Sequence, residues 1–226
     1  MRRALFITAF ALLCMAPSAQ ASVTELGADA SPDGVKPSCP ETCQAIGRVS
    51  GYMGRSGKGT NPFQVPRDGK VVAFTVSLGK PDANQAKFFT DLYGGPPQVR
   101  ISIVRRGEKR KTRLNHRLLR QSPLFRVDHF FGSSPTFALD TPIKVAKGNI
   151  VALTVPTWAP AFAVNLPKSN WWRSSRAKGK CSDVSQMAAQ RTPGAVRAYG
   201  CTYFRARLMY TATYVPNPRT TDGTKP

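Results

Sequence analysis

The stretch Ser134–Pro156, SPTFALDTPIKVAKGNIVALTVP, predicts the fold more directly than any other part of the chain. Its two apolar runs, 137–145 and 150–155, flank the turn-forming residues Lys147–Asn149. Side chains alternate between two faces along a strand, and in the second run both faces are nearly apolar. Such a run is typical of a strand in the middle of a sandwich rather than at its edge. The stretch therefore predicts a β-hairpin whose return strand is buried on both sides.

Shorter segments with alternating apolar residues recur on both sides of this hairpin, separated by turns rich in Gly and Pro. They lie at 45–53, 71–78, 98–105, 112–119, 125–131 and 204–214. The chain shows neither an internal repeat nor a long helical pattern. These features predict an all-β protein, a two-sheet antiparallel sandwich of jelly-roll type, with a long irregular insertion, Thr157–Ala198, before the last strand.

The N-terminal residues resemble a secretory signal, with a short basic head, an apolar run and small residues at Ala19 and Ala21. The apolar run is shorter than the roughly 20 residues that a membrane span needs, so we expect no membrane span. We predict a secreted protein, extracellular or associated with the cell wall. Its expected parts are a signal peptide (1–21), a loose leader with a small cysteine loop (22–45), a sandwich domain (46–215) and a disordered tail (216–226).

The chain is strongly basic, with 33 Lys and Arg against 12 Asp and Glu and a net charge of +21. Two of the basic residues precede the expected cleavage site and all acids follow it, which leaves 31 minus 12, or +19. Such a charge attracts polyanions, and outside a cell these include teichoic acids, acidic polysaccharides, lipid headgroups and stray nucleic acid. The alternative is that the charge serves solubility alone.

Four cysteines follow the signal: Cys39, Cys43, Cys181 and Cys201. An even number in an exported chain favours two disulfides. Of the three possible pairings we favour the two local ones, Cys39–Cys43 and Cys181–Cys201. The cysteine spacing fits neither a zinc knuckle nor a Cys-x-x-Cys redox motif, so we expect no metal and no cofactor.

Two segments carry a pattern known from other proteins: Val65–Val76, VPRDGKVVAFTV, and Pro135–Leu153, PTFALDTPIKVAKGNIVAL. They resemble uncharacterised exported β-sandwich proteins of actinobacteria, in which a Pro-x-Asp-Gly strand start accompanies a late hairpin with Pro-Ile-x-Val and Gly-Asp-x-Ile. Asn149 stands where that pattern more usually has Asp. The resemblance implies export and a sandwich fold, and it implies no activity and no catalytic residues.

A dense basic run is the first candidate binding surface. It comprises Arg105, Arg106, Lys109, Arg110, Lys111, Arg113, Arg117 and Arg120, with Glu108 as the one acid among them. If Gly107 and Glu108 form a hairpin tip, both strands present arginines to solvent. Guanidinium groups suit phosphate, sulfate and carboxylate. The alternative is a hydrated edge that deters strand pairing.

The segment Asn170–Lys180, NWWRSSRAKGK, is the second candidate. Trp171 and Trp172 could stack on sugar rings while Arg173 and Arg176 pair with anions. Trp158 could add another aromatic platform. The alternative is that Trp171 or Trp172 packs beneath the insertion and closes one end of the sandwich.

Enzyme signatures are weak, because the chain has no Gly-x-Ser-x-Gly motif and few acids for a carboxylate pair. We therefore predict non-catalytic binding of an acidic polysaccharide or another anionic envelope polymer, with no specific nucleic acid. One alternative is a polysaccharide lyase that uses His116 or His129 with a tyrosine such as Tyr203. The other is a purely structural envelope protein.

Overall fold

The computed structural model describes residues 22–28 and 34–218. The predicted signal peptide and most of the predicted tail lie outside the described residues. Within them the chain forms one α-helix, α1 (Ala83–Tyr93), a short 3-10 helix (Asp128–Phe130) and fifteen strands. The prediction of an extended segment at 125–131 is therefore wrong beyond Phe125–Arg126. The strands are β1 (Thr24–Leu26), β2 (Ile46–Ser56), β3 (Gly59–Thr60), β4 (Gly69–Val76), β5 (Gln98–Arg106), β6 (Asn115–Gln121), β7 (Phe125–Arg126), β8 (Thr136–Val145), β9 (Ile150–Ala159), β10 (Phe162–Ala163), β11 (Trp171–Ser174), β12 (Val196–Ala198), β13 (Cys201–Phe204), β14 (Arg207–Leu208) and β15 (Tyr210–Pro216).

Antiparallel pairing organises these strands into two main sheets. The smaller has the order β1-β15-β4-β8, and the larger has the order β12-β6-β5-β9-β2-β11-β13, with β3 beside β2 and β7 beside β5. Strands β10 and β14 form a separate pair. The prediction of a mostly β, antiparallel architecture is confirmed, and the jelly-roll connectivity stays a prediction.

One hydrophobic core holds the two sheets together. Apolar residues of both sheets belong to the same buried cluster. Tyr210 of the smaller sheet donates a hydrogen bond from its hydroxyl to the carbonyl of Val151 in the larger sheet, at 2.9 Å. The Phe63 ring stacks on the Tyr210 ring with 4.1 Å between centroids. Apolar burial between the sheets is therefore the main source of stability.

The predicted hairpin at 134–156 is wrong, because β8 and β9 belong to different sheets. Strand β8 pairs with β4, whereas β9 lies between β5 and β2. The turn between them thus crosses from one sheet to the other. The alternating pattern identifies both strands but does not say which neighbour each one pairs with. The central position of β9 is confirmed, since Val151, Ala152, Leu153 and Thr154 are fully buried.

The crossing turn is held by the segment that carries the Pro-x-Asp-Gly pattern. The backbone N–H of Lys147 donates to Asp68 Oδ1 at 2.8 Å, and the N–H of Gly148 donates to the carbonyl of Val65 at 2.9 Å. Asn149 accepts from the Ala146 N–H through Oδ1 at 2.9 Å. The two segments of the sequence pattern therefore meet in space, and their role is to fix the passage between the sheets.

The predicted irregular insertion is partly regular. Strands β10, β11 and β12 lie within 157–198, and β11 is an internal strand of the larger sheet. Residues near Gln190 cover the outer face of β9. There the Thr154 hydroxyl is hydrogen-bonded to the hydroxyls of Ser50, at 2.7 Å, and Ser102, at 2.6 Å. The Gln190 N–H donates to the Ser50 hydroxyl at 3.0 Å. The insertion thus buries the second side of β9.

Helix α1 was not predicted. Asp82 caps it by accepting from the Gln85 N–H at 2.8 Å, and Gln85 Oε1 accepts from the Asp82 N–H at 3.0 Å. Gly94 ends the helix with φ of 70°. The Asp-x-x-Gln spacing is a capping-box signal that the sequence contains. The apolar stripe is hard to recognise, because Phe88 is 59% exposed beside the buried Phe89.

The N-terminal leader is not loose throughout. Strand β1 pairs with β15, with Leu26 opposite Ala212, so 24–26 extend the smaller sheet.

The predicted domain boundaries at 46 and 215 lie close to the start of β2 and the end of β15. At the start of the predicted tail, the Asn217 N–H donates to the carbonyl of Asp68 at 2.9 Å.

The predicted last strand, 204–214, is divided among β13, β14 and β15. Arg205 has a positive φ of 58°, and this left-handed residue interrupts the alternation of faces. Alternation through an unbroken strand would place Phe204 inside and Arg207 outside, but Phe204 is 54% exposed and Arg207 is 1% exposed. Burial lowers the pKa of Arg207 to about 10.

Both predicted disulfides are confirmed. Cys39 bonds to Cys43 and Cys181 bonds to Cys201. The second disulfide connects the region after β11 to the start of β13 and so closes the insertion onto the larger sheet.

Candidate functional site

The basic run forms a hairpin, as predicted, from β5 and β6. Arg105 lies opposite Arg117, and Arg106 lies opposite His116. We refer to Arg105–Arg120 as the basic hairpin. Its predicted binding residues are all exposed: Arg105, Arg106, Lys109, Arg110 and Arg113.

The charges of the basic hairpin have no acidic partner. In the described part of the chain, no Asp or Glu lies within 4.0 Å of any of these basic groups. Arg105 and Arg117 are like charges that lie directly opposite each other on neighbouring strands. Repulsion between such a pair destabilises a sheet. A bound anion would relieve this repulsion.

The basic hairpin also has a definite shape. Its flank contains a shallow cleft of about 460 Å³ whose lining includes four cations, Arg105, Arg106, Lys109 and Arg117, and one acid, Glu108. The Nε of Arg106 donates to the carbonyl of Arg113, and Nη1 of Arg117 donates to the carbonyl of Gly194, both at 2.9 Å. Two of the guanidinium groups are therefore anchored by the backbone, which lowers the entropy cost of binding an anion.

Trp158 does not offer a stacking surface. It is fully buried beneath α1, against Phe89, and its Nε1 donates to the carbonyl of Gly95 at 3.2 Å. The prediction of an aromatic platform at Trp158 is therefore wrong, because the ring is buried. Its ring fills the space between the helix and the larger sheet.

Trp171 and Trp172 lie on opposite faces of β11. Trp172 is 3% exposed and stacks on Tyr203 with 4.5 Å between ring centroids, so it is a core residue. Trp171 is half-buried, and a Cβ at Gly54 would collide with its ring. Of the two, only Trp171 can contact a large ligand.

An aromatic patch forms around Trp171. Trp171 lies opposite Phe204 on β13, with 6.4 Å between ring centroids. The Arg173 guanidinium carbon lies 5.8 Å from the centroid of the Trp171 ring, within cation–π range. We refer to Trp171, Arg173 and Phe204 as the aromatic patch, which combines ring surfaces with a positive charge.

Arg176 lies in a separate cleft of about 410 Å³, which we call the Arg176 cleft. Its Nη1 donates to the Tyr203 hydroxyl at 3.1 Å and its Nη2 donates to the carbonyl of Gly47 at 3.2 Å. The Tyr203 hydroxyl in turn donates to the carbonyl of Cys181 at 2.6 Å. The sequence analysis predicted that Arg176 pairs with anions, and no sequence signal indicated that it is only 6% exposed.

The residues of the lyase alternative are not assembled into an acid–base site. His116 is fully buried, with Nε2 2.9 Å from the Tyr52 hydroxyl. Tyr52 lies opposite Arg173, whereas Tyr203 lies opposite the adjacent Trp172, so the two tyrosines occupy opposite faces of the sheet. The tyrosine that contacts His116 is therefore Tyr52, and Tyr203 lies on the other face. His129 is exposed, and its Nε2 is 3.9 Å from Asp128.

The environment of His116 suits a neutral imidazole. Its pKa is lowered to about 4, chiefly by burial and further by the charges of Arg106 and Arg173. Its Nδ1 lies 2.9 Å from the carbonyl of Leu114, so both ring nitrogens have partners. The histidine is therefore part of a buried polar cluster in the sheet.

The chain matches no known protein family, and no curated protein or solved structure is significantly similar to it. Residues 22–28 and 34–218 contain no helix that is long and apolar enough to cross a membrane. The same residues contain no cluster of three or more His, Cys, Asp or Glu suited to a metal ion.

Proposed function

We propose that the protein is exported and binds an acidic polysaccharide through the basic hairpin, without catalysis. The observation that carries this proposal is the set of exposed cations on β5, β6 and their connecting turn, none of which forms an ion pair with an acid of the described residues. Polyanion binding by such a surface gains free energy from the release of counterions. Arginine forks also bind carboxylate and sulfate groups in a directed manner.

The aromatic patch supports a carbohydrate rather than a generic polyanion. Trp171 and Phe204 present ring surface beside the Arg173 cation. Sugar rings stack on aromatic side chains, and charged groups of the same polymer can pair with a nearby guanidinium. Part of the proposal is that the scaffold is a two-sheet sandwich of jelly-roll type. Its two disulfides are consistent with an oxidising, extracellular location.

The test is retention on immobilised polygalacturonate over a range of salt concentrations. The double variant Arg105→Gln/Arg117→Gln removes two opposed charges of the basic hairpin. Lys70→Gln/Lys144→Gln is a matched control, because Lys70 and Lys144 are an exposed, directly opposed pair of cations on the smaller sheet. We expect the first variant to elute at lower salt. The slope of the logarithm of the binding constant against the logarithm of the salt concentration should fall by about one for each lost charge.

Two outcomes would contradict the proposed binding of an acidic polysaccharide by the basic hairpin, and a third would contradict the absence of catalysis. One is equal loss of retention in both double variants, which would mean that net charge alone drives binding. The other is unchanged binding in a Trp171→Ala variant together with equal retention on single-stranded DNA, which would assign the surface to polyanions of any kind. A gain in ultraviolet absorbance of the polygalacturonate on incubation would indicate lyase activity instead.

A further inference from the structure

The lining of the Arg176 cleft is aromatic and positively charged. It contains two arginines, Arg176 and Arg205, and no Asp or Glu. Apolar walls come from Tyr93, Phe162 and Phe204. A volume of about 410 Å³ lies in the range of small-molecule sites in proteins. None of the residues of the basic hairpin line this cleft, so the two surfaces are separate.

Arg176 is buried without a charge partner. Only 6% of the residue is exposed, and no Asp or Glu in the described part of the chain lies within ion-pair distance. A guanidinium has five N–H donors, and Nε of Arg176 has no hydrogen-bond acceptor. A buried charge without an opposite charge is unfavourable, and a carboxylate in the cleft would compensate it.

The guanidinium is also held in a fixed position. The Tyr203 hydroxyl donates to the carbonyl of Cys181 and thereby directs a lone pair toward Nη1 of Arg176. The carbonyl of Gly47 fixes Nη2 from the other side. A donor fork that is fixed before binding loses little entropy when an anion arrives.

The backbone around the cleft is strained. Asn165 and Arg205, both in the lining, have positive φ of 60° and 58°. Non-glycine residues in this region are disfavoured, and they cluster at binding and catalytic sites. Of the four non-glycine residues with positive φ in the described part of the chain, these two line the cleft, and the other two, Arg48 and Asn61, do not.

We infer that the Arg176 cleft binds a small carboxylate that carries a ring. The carboxylate pairs with the Arg176 guanidinium, and the ring lies against the aromatic wall near Phe204. Such a carboxylate has two sources, a free organic acid or the terminal uronate of a polysaccharide. The inference does not depend on the basic hairpin, which contributes no residue to the cleft, although Phe204 also belongs to the aromatic patch.

The experiment is calorimetric titration of the full secreted chain with D-galacturonate, its trimer, benzoate and neutral D-galactose. We expect saturable binding of at least one of the two small carboxylates and none of galactose. Arg176→Met keeps an unbranched side chain and removes the guanidinium with its charge, and it should weaken binding at least tenfold. Arg113→Met is the matched control on the basic hairpin, and it should leave the affinity unchanged. Tighter binding of the trimer than of the monomer would identify a polysaccharide end as the source.

A second variant keeps the test decisive if Arg176→Met does not fold. Phe204 is 54% exposed and contributes little to the core, so Phe204→Ala should fold and bind the carboxylate several-fold more weakly. The inference is overturned if neither D-galacturonate nor benzoate binds the wild-type chain at about 10 mM. Equal weakening by Arg113→Met, or equal binding of galactose, overturns it as well.

Discussion

The three tryptophans occupy three different environments, although two of them are adjacent in the chain. Trp158 fills the space beneath α1, Trp172 stacks on Tyr203 inside the larger sheet, and Trp171 borders solvent next to Phe204. A change of one position along β11 reverses the face that a side chain occupies. Residue type therefore identifies an aromatic group, and register decides whether that group serves packing or binding.

His116 makes a residue-scale prediction about pH. Its pKa is about 4 in the folded protein and about 6.5 in an unfolded chain. Between these values the unfolded state binds more protons, so the free energy of unfolding rises with pH. The stabilisation is complete above pH 6.5 and is lost as the pH falls toward 4, with a total on the order of 3 kcal/mol.

Urea unfolding at several values between pH 4 and pH 7 measures this effect. The matched variant His116→Gln keeps a polar group next to Tyr52 and removes the titration. We expect a flatter pH profile for this variant than for the wild type. Parallel profiles for the two proteins would show that His116 is not the group responsible.

At the scale of elements, α1 shows how a short signal can specify local structure. The capping box at Asp82 and Gln85 and the left-handed Gly94 set both ends of the helix. Phe89 and Tyr93 attach it to Trp158. Tertiary packing of this one face, rather than helix propensity, holds such a short helix in place.

The N-cap gives a prediction about stability. Asp82→Ala removes the acceptor for the Gln85 N–H, and we expect a loss of roughly 1 kcal/mol in the free energy of unfolding. Asp91→Ala is the control, because Asp91 forms only an exposed ion pair with Lys87, which contributes about 0.5 kcal/mol or less. Thermal melting of the two variants distinguishes these effects. An equally small change in both would mean that the cap does not stabilise the folded protein.

At the scale of the whole molecule, the two sheets are joined at a few identifiable places. The crossing turn at Lys147–Asn149 joins β8 to β9, and Tyr210 bonds across the core to Val151. The Cys181–Cys201 disulfide ties the insertion to β13, and the carbonyl of Cys181 supports Tyr203 in the Arg176 cleft. Stability and the geometry of this cleft are therefore linked.

The two disulfides differ in the length of chain that they close. Cys181 and Cys201 are separated by 20 positions, whereas Cys39 and Cys43 are separated by 4. On the chain-entropy argument, Cys181→Ala/Cys201→Ala should cost roughly 3 kcal/mol and Cys39→Ala/Cys43→Ala about 2 kcal/mol. Urea unfolding of the two double variants measures the difference. A larger loss for the shorter loop would show that strain or packing outweighs loop entropy.

The sequence by itself determined the β class, the approximate positions of β2, β4, β5 and β9, the basic hairpin and both disulfides. These features depend on alternation, turn residues and short-range spacing, which are local properties of the chain. Strand pairing between β8 and β4, the burial of Arg176 and Arg207, and the position of Trp158 were decided only by the tertiary structure. They depend on which segments meet across the core, and that outcome reflects the packing of the whole chain rather than the pattern of any one segment.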